Sequence, residues 1–200
     1  MLQSADTVLV RRVERPPALS TLESTALGDP VLRLELVGGI AALWLLRSAD
    51  TVFVLGHVLD STRAWNDEVV VSLHLGGEPA ATPQHEDFQW ELHRTLDSSV
   101  VYRGRGNRWE PPRSDPTWRL GPEHSGGGWA VASREVARGW WVLLRLEGPW
   151  LEAESGASPR FAIRVRDSDS SRWAVWPSAN VHPSEVEASP AKWGVVAEAR

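Results

Sequence analysis

Short runs of alternating apolar and polar residues dominate the chain, and this period of two residues indicates β-strands. Runs rich in β-branched and aromatic residues occur at 31–39, 51–59, 68–75, 88–94, 99–104, 139–146, 160–167 and 192–199. Segments dense in Gly, Pro, Ser and Asp separate them, and only 136–141 and 146–155 leave room for a short helical turn. The pattern predicts an all-β fold, an antiparallel β-sandwich of immunoglobulin-like or jelly-roll type with long loops such as 104–128.

Three of the predicted strands have one apolar and one polar face, as expected where a sheet covers a core with one side only. The apolar faces carry Val69, Val71, Leu73 and Leu75, then Phe88, Trp90 and Leu92, then Phe161, Ile163 and Val165. The opposite faces carry Val70, Ser72 and His74, then Gln89, Glu91 and His93, then Arg160, Arg164 and Arg166. We therefore expect the first set in the core and the second set in contact with solvent.

Composition narrows the classes of function and partner. Two hundred residues without a repeat or a linker predict a single domain over 1–200. The net charge of −5 and a single lysine, Lys192, argue against a nucleic-acid partner. The longest apolar run, 38–46, is too short for a membrane span, and the first residues do not have the form of a secretory signal. The sequence thus predicts a cytoplasmic protein, or an extracellular one if a signal has been removed, and leaves its oligomeric state open.

Twelve tryptophans are unusual beside one tyrosine and three phenylalanines. Large aromatic side chains pack cores, but an exposed ring also stacks on the flat face of a ligand such as a sugar. Trp65 lies just before the strand at 68–75, where either role is open. For Trp173 and Trp176, core packing is the favoured interpretation and ligand contact the alternative.

Two groups of polar residues suggest further chemistry. Gln89, Glu91 and His93 share one strand face; with His74 on a neighbouring strand, they form a candidate polar recognition, acid–base or metal site. Aspartates also recur at strand ends, a position whose oxygen ligands suit calcium. The calcium hypothesis names Asp60, Asp67 and Asp87 as ligands. Asp167 and Asp169 also lie at a predicted strand end.

The order of four segments resembles family 9 carbohydrate-binding modules and the wider group of DOMON-like β-sandwiches. The segments are "RRVERPPAL" (11–19), "ALWLLRSADTVFVLGHVLDS" (42–61), "WNDEVVVSLHLGG…HEDFQWELH" (65–93) and "RVRDSDSSRWAVWPS…SPAKWGVV" (164–196). Together they cover most of the chain. The resemblance implies a sandwich that binds sugars without cleaving them, clamps the sugar between two tryptophans, and holds structural calcium.

The family's binding residues transfer only in part. Trp65 falls within one residue of the first clamping tryptophan, and Asp67 matches the aspartate that opens the next strand. A sugar-binding glutamate aligns with Val70, whereas an arginine and an asparagine align with Glu91 and His93. The second clamping tryptophan aligns near Glu187. The candidate ligand-binding set is Trp65, Gln89, Glu91, His93, Trp176 and Glu187.

Three functions follow as hypotheses. The favoured one is non-catalytic binding of a carbohydrate or another small ligand, with calcium as the one cofactor considered and no catalytic residues. The alternative is an enzyme with a rebuilt acid–base pocket of Glu91, His93 and His74, because a fold does not determine a function. Haem binding, known among DOMON-like sandwiches with Met, His or Lys ligands, is a third hypothesis. Met1 and Lys192 are the only Met and Lys, which leaves the histidines as ligands.

Overall fold

The structure, a computed structural model, contains strands joined by turns, with a short 3₁₀ helix at Pro190–Lys192. It describes residues 7–18, 27–36, 39–60, 62–64, 66–75, 78–94, 100–110, 123–126, 128–147, 159–169, 171–177 and 189–198. Within these ranges, no helix has the length and apolar character needed to cross a membrane.

Fourteen strands are seen in the described residues, and they are numbered here in chain order. They form two sheets, A and B. Sheet A contains β1 (Thr7–Arg12), β5 (Glu68–His74), β6 (Asp87–His93), β7 (Val100–Gly104), β8 (Trp109–Glu110), β12 (Arg160–Asp167), β13 (Arg172–Trp176) and β14 (Gly194–Glu198). Sheet B contains β2 (Leu32–Leu36), β3 (Gly39–Ser48), β4 (Thr51–Leu59), β9 (Glu123–Gly126), β10 (Trp129–Val136) and β11 (Gly139–Glu147).

Strand β1 joins the two sheets. Its first part, Thr7–Val10, runs parallel to β14, whereas Arg11 and Arg12 run parallel to β3. All other pairs are antiparallel. Sheet A has the order β8-β7-β6-β5-β12, and the far side of β12 pairs with both β13 and β14. Sheet B has the order β3-β4-β11-β10-β9, with β2 beside β3. The predicted all-β sandwich is confirmed, and its antiparallel pairing holds for every strand pair but those of β1.

The main core lies between the sheets and contains the side chains that the alternation assigned to it. From sheet A it includes Val69, Val71, Leu73, Trp90, Leu92, Phe161, Ile163 and Val165. Sheet B contributes Leu43, Leu45, Val54, Val58, Trp140, Val142 and Leu144. Because burial of apolar surface is the main favourable term in folding, this two-sided layer accounts for most of the stability of the sandwich.

The outer face of sheet B is also apolar and buried. Trp44, Leu46, Phe53, Leu55 and Trp141 form a second cluster there. A strand that is buried on both faces has no polar alternation. The periodicity therefore does not predict β3, although its ten residues are nearly all apolar.

The interval 104–128 is less irregular than the sequence suggests, because β8 and β9 lie within it. The helical turn predicted at 136–141 is wrong: residues 137 and 138 make a tight turn between β10 and β11. Gly139 ends this turn with φ of +129°, a value that side chains with a Cβ rarely adopt. A Cβ on Gly139 would also lie 1.9 Å from the carbonyl oxygen of Val58. The second helical turn, at 146–155, lies mostly outside the described residues.

His57 on β4 packs against the outer cluster of sheet B, and its titration should make the stability of the fold depend on pH. Its ring stacks on Trp141, with centroids 4.1 Å apart, and burial lowers the pKa of the imidazole. The unfolded chain therefore takes up the proton first, at about pH 6.5. Stability is expected to fall as the pH drops from there toward the lower pKa of the folded state.

His57→Phe keeps an aromatic ring and removes the titration. Urea unfolding at about pH 7.5 and about pH 5.5 should show a smaller acid-induced loss for this variant than for the unaltered protein. His85→Phe, on an exposed side chain, is the matched control and should keep the full loss. Equal losses in all three proteins would contradict the assignment to His57.

Candidate functional site

The outer face of sheet A is the strongest candidate for a binding site. On it, β5 lies between β6 and β12, and the pairing places Glu68 between His93 and Arg166 and Val70 between Glu91 and Arg164. Tyr102 on β7 pairs with Gln89 and points to the same side. We define the polar face as Glu68, Glu91, His93, Tyr102, Arg164 and Arg166. The face thus includes Glu91 and His93, which the sequence predicts as neighbours.

The polar face is not solvated as the alternation predicts. All seven residues of β5 are buried, including Glu68, Ser72 and His74 on the outward side. At one end of this outer surface, Ala162, Val175 and Trp193 form a small apolar cluster with Trp109 packed against it. The rings of Trp109 and Trp193 are parallel, with centroids 6.2 Å apart. The prediction of a wet face is therefore wrong for β5, the strand that lies between β6 and β12 in the sheet.

Glu68 connects the charged groups of the polar face. One oxygen, Oε1, accepts a hydrogen bond of 2.7 Å from Nη2 of Arg164. The other, Oε2, lies 3.8 Å from Nε2 of His93. Burial lowers the pKa of His93; Arg164 and Arg166 lower it further, although Glu68 opposes them. The imidazole is thus neutral at neutral pH and acts as a hydrogen-bonding group rather than a cation.

Glu91 and Tyr102 form the second polar unit. Burial raises the pKa of Glu91, and the charge of Glu68 raises it further, whereas Arg164 and the Tyr102 hydroxyl lower it. Burial and the neighbouring Glu91 raise the pKa of Tyr102 to about 12, so that its hydroxyl stays protonated and donates to the carboxylate. A carboxylate held by a phenol next to a neutral imidazole is suited to recognising hydroxyl groups.

The two tryptophans of β13 lie on opposite faces of the sheet, because they are three residues apart on a strand. Trp173 pairs with Arg166 and is 38% exposed on the outer side, at the edge of the polar face. Trp176 lies in the main core, where its ring packs on Phe161. The ligand-binding role predicted for Trp176 is therefore corrected to core packing. Trp65 and Glu187 lie outside the described residues, and their predicted roles stay predictions.

His74 does not join Glu91 and His93. Its Nδ1 lies 2.7 Å from Oδ1 of Asp87, and both side chains are buried. The register places Ser72 and Gln89 between this pair and the Glu91 position; Gln89 is itself buried, with its amide 3.4 Å from the Ser72 hydroxyl. The predicted trio of Glu91, His93 and His74 is therefore wrong in its third member, and Glu68 takes that place.

Asp87 is also absent from the aspartate cluster for which calcium was considered. Its carboxylate accepts from His74 and from the backbone N–H of Gln84, which fixes the entry into β6. The structure instead brings together Asp60, Asp67 and Asp167, whose oxygens lie within 4.8 Å of one another. Only two of the three predicted calcium ligands meet.

Arg94 lies at this aspartate cluster. Its Nη1 is 3.2 Å from Asp60 and 3.0 Å from Asp67, and it also donates to the carbonyl of Thr62. Its Nε and Nη2 both donate to Glu135 at 2.9 Å. The hydrogen bonds to Glu135 and Asp67 raise the pKa of Arg94 despite the burial that lowers it. The guanidinium is thus a permanent cation inside the cluster.

Calcium binds best where several free oxygens converge. Here the second oxygen of Asp67 already accepts from the backbone and hydroxyl of Ser168, and Asp60 accepts from Thr62 through two bonds. With Arg94 in place, the carboxylates have their partners and do not fit a metal ion as they stand. A second trio, Glu68, Glu91 and His93, has metal-ligand spacing, but Arg164 is bonded to Glu68 there.

Several residues of the face escape sequence reasoning. Glu68 stands at the start of β5, where polar residues are ordinarily solvated, Tyr102 lies in the middle of β7, and Trp109 lies in a segment that resembles a loop. The register alone would have revealed them, because it aligns Glu68 with His93 and Tyr102 with Gln89.

The chain matches no protein-family model, and no curated protein resembles it in sequence. Its fold is that of two solved structures of a family 9 carbohydrate-binding module from Caldicellulosiruptor kristjanssonii. One structure, in complex with glucose, has a TM-score of 0.61 and 14% identity over 96% of this chain and 95% of that chain. The other, in complex with cellotriose, has a TM-score of 0.60 and 14% identity over 95% and 92% of the two chains. The chain therefore has the fold that the sequence resemblance implies.

Proposed function

We propose that this protein binds a carbohydrate at the polar face of sheet A and does not cleave it. Support comes from two sides: the structures that share its fold were solved with glucose and cellotriose, and the outer face of sheet A has groups that suit a sugar. The proposal also includes a single-domain organisation, no catalytic role and no resident cofactor.

The burial of charged groups on an outer sheet face is the observation that carries the proposal. Burying a carboxylate or a guanidinium costs free energy, and a stable fold would gain more from apolar residues at these positions. Glu68 and Arg164 have side-chain exposures of 7% and 15%, and they form an ion pair at 2.7 Å. Such a network is typical of a surface prepared for a polar ligand.

Trp173 supplies the apolar part of the proposed site. A sugar ring presents C–H groups on one face and hydroxyls around its rim, so an aromatic plane beside hydrogen-bonding groups complements it. Trp173 is exposed at the edge of the polar face, next to Arg166. Trp65 provides a second ring in this proposal, and its role rests on the family resemblance of the sequence.

An acid–base enzyme on the same face is the second candidate. The pKa of Glu91 is raised and that of His93 is lowered, and such opposite shifts of adjacent groups occur where one acts as an acid and the other as a base. Release of free sugar from oligosaccharides, abolished in Glu91→Gln, would favour this candidate. Binding without turnover would favour the carbohydrate-binding one.

Calorimetric titration with glucose and with cellotriose tests the proposal. Trp173→Ala removes the exposed ring, and Tyr102→Phe removes the hydroxyl that donates to Glu91. Each variant is expected to weaken binding about tenfold, the effect of losing roughly 1.4 kcal/mol of contact. Trp65→Ala tests the sequence-based role separately.

Ile40→Ala is the matched control, because Ile40 is as exposed as Trp173 but lies on β3 of sheet B. It should bind like the unaltered protein. No binding of either sugar, or equal affinity in all the variants, would contradict a carbohydrate site on the polar face.

A further inference from the structure

Strand β12 carries three arginines on its outer side, and two of them have partners within the protein. Arg160 donates to the carbonyl of Trp193 at 3.1 Å, and Arg164 donates to Glu68 at 2.7 Å. Arg166 differs in that its guanidinium makes no ion pair with any described residue; its buried Nε also makes no hydrogen bond there. Within the part of the chain that the structure describes, its charge therefore has no ion-pair partner on the polar face.

None of the described neighbours of Arg166 forms an ion pair with it. Glu68, directly opposite in the register, is bonded to Arg164. Burial lowers the pKa of His93, and Arg164 and Arg166 lower it further, so that imidazole is neutral. The remaining neighbour across the strands is the ring of Trp173. A half-buried guanidinium beside an exposed aromatic ring thus faces the position where the proposed ligand would lie.

We infer that the preferred ligand is an acidic sugar, whose carboxylate pairs with Arg166 while its ring stacks on Trp173. This inference rests on the proposed carbohydrate function and names the class of sugar. A guanidinium presents a planar fork of N–H donors that matches a carboxylate through two parallel hydrogen bonds. A neutral sugar would leave that charge buried without a partner, which costs free energy.

The surrounding charges select among anions. Glu68 and Glu91 stand on the same face, and their repulsion of an anionic ligand increases with the negative charge of that ligand. A uronic acid carries one negative charge, whereas a sugar phosphate carries nearly two at neutral pH. The arrangement therefore favours a carboxylate over a phosphate on the sugar.

Matched pairs of sugars test the inference, because glucose and glucuronic acid, or galactose and galacturonic acid, differ only at carbon 6. The acid of at least one pair is expected to bind the unaltered protein about tenfold more tightly than its neutral partner. Added salt should reduce this difference. Glucose 6-phosphate serves as the dianionic probe and should bind more weakly than glucuronic acid.

Arg166→Gln is expected to remove the preference for the acid. Arg166→Lys, which keeps the charge but lacks the fork, should lose most of it and shows whether the effect is geometric. Arg138→Gln, on the exposed turn between β10 and β11, is the control and should keep the full preference.

The outcomes separate this inference from the proposed function. Binding of a neutral sugar as tight as that of its acid partner overturns the acidic-sugar inference and leaves carbohydrate binding intact. Binding of none of the sugars overturns both. A preference for the acid that persists in Arg166→Gln, in a variant with an unchanged melting temperature, overturns the assignment to Arg166.

Discussion

Replacing Arg94 by alanine is expected to lower the free energy of unfolding by about 3–5 kcal/mol, the range seen when one partner of a buried ion pair is removed. The side chain is 4% exposed and contacts Asp60, Asp67 and Glu135. Without it, Asp60 and Asp67 would face each other and Asp167 with no cation between them. The loss includes the desolvation of carboxylates left without a partner, which exceeds the value of the hydrogen bonds themselves.

Chemical unfolding of Arg94→Ala and Arg63→Ala measures this effect with a matched control. Arg63 also pairs with Glu135, at 3.5 Å, but its side chain is 64% exposed. Exposed ion pairs contribute about 0–1 kcal/mol, so Arg63→Ala should be nearly neutral. Similar small losses in both variants would show that Arg94 does not hold the cluster together.

The same variant bears on the calcium hypothesis. While Arg94 occupies the cluster, neither calcium nor a chelator should change the melting temperature of the unaltered protein. Arg94→Ala frees the oxygens of Asp60 and Asp67, so calcium should raise the melting temperature of this variant by preferential binding to the folded state. A rise of several degrees in the unaltered protein would instead show that calcium binds beside Arg94.

The sequence predicts the fold well because hydrophobic alternation reports directly on a sheet with one buried face. Val69, Trp90 and Ile163 all lie in the core as predicted. The alternation fails where both faces are buried, as in β3, since such a strand is apolar throughout. It also fails on β5, where Glu68 and Val70 on the outward side are buried by contacts that no local pattern reveals.

The candidate site is predicted only in part because it depends on register. Parity along β6 places Glu91 and His93 on one face, and the structure confirms it. Which residues meet them across the strands is decided by pairing, and pairing brings Glu68 to His93 and leaves His74 with Asp87. Likewise, Asp167 rather than Asp87 joins Asp60, because β12 ends beside the start of β5.

Among the described residues, the tryptophans include buried rings of the core and the exposed ring of Trp173, and a pair of variants should show this difference in stability. Trp90→Ala is expected to lower the free energy of unfolding by about 3–5 kcal/mol, as for other large aromatic residues deleted from cores. Trp90 is 0% exposed, at the centre of the main cluster, where its ring meets the edge of Trp129. The cavity left by an indole cannot be filled without moving two sheets.

Trp173→Ala is the matched substitution of the same residue type on the same sheet, at a ring that is 38% exposed. Deleting it should change the free energy of unfolding by no more than about 0.5 kcal/mol, as for most surface substitutions. Urea unfolding of both variants measures the two values, and the sugar titrations are then made on a folded Trp173→Ala. A loss for Trp173→Ala that approaches that for Trp90→Ala would contradict this division, because it would make Trp173 a packing residue like Trp176 and remove the only exposed ring of the proposed site among the described residues.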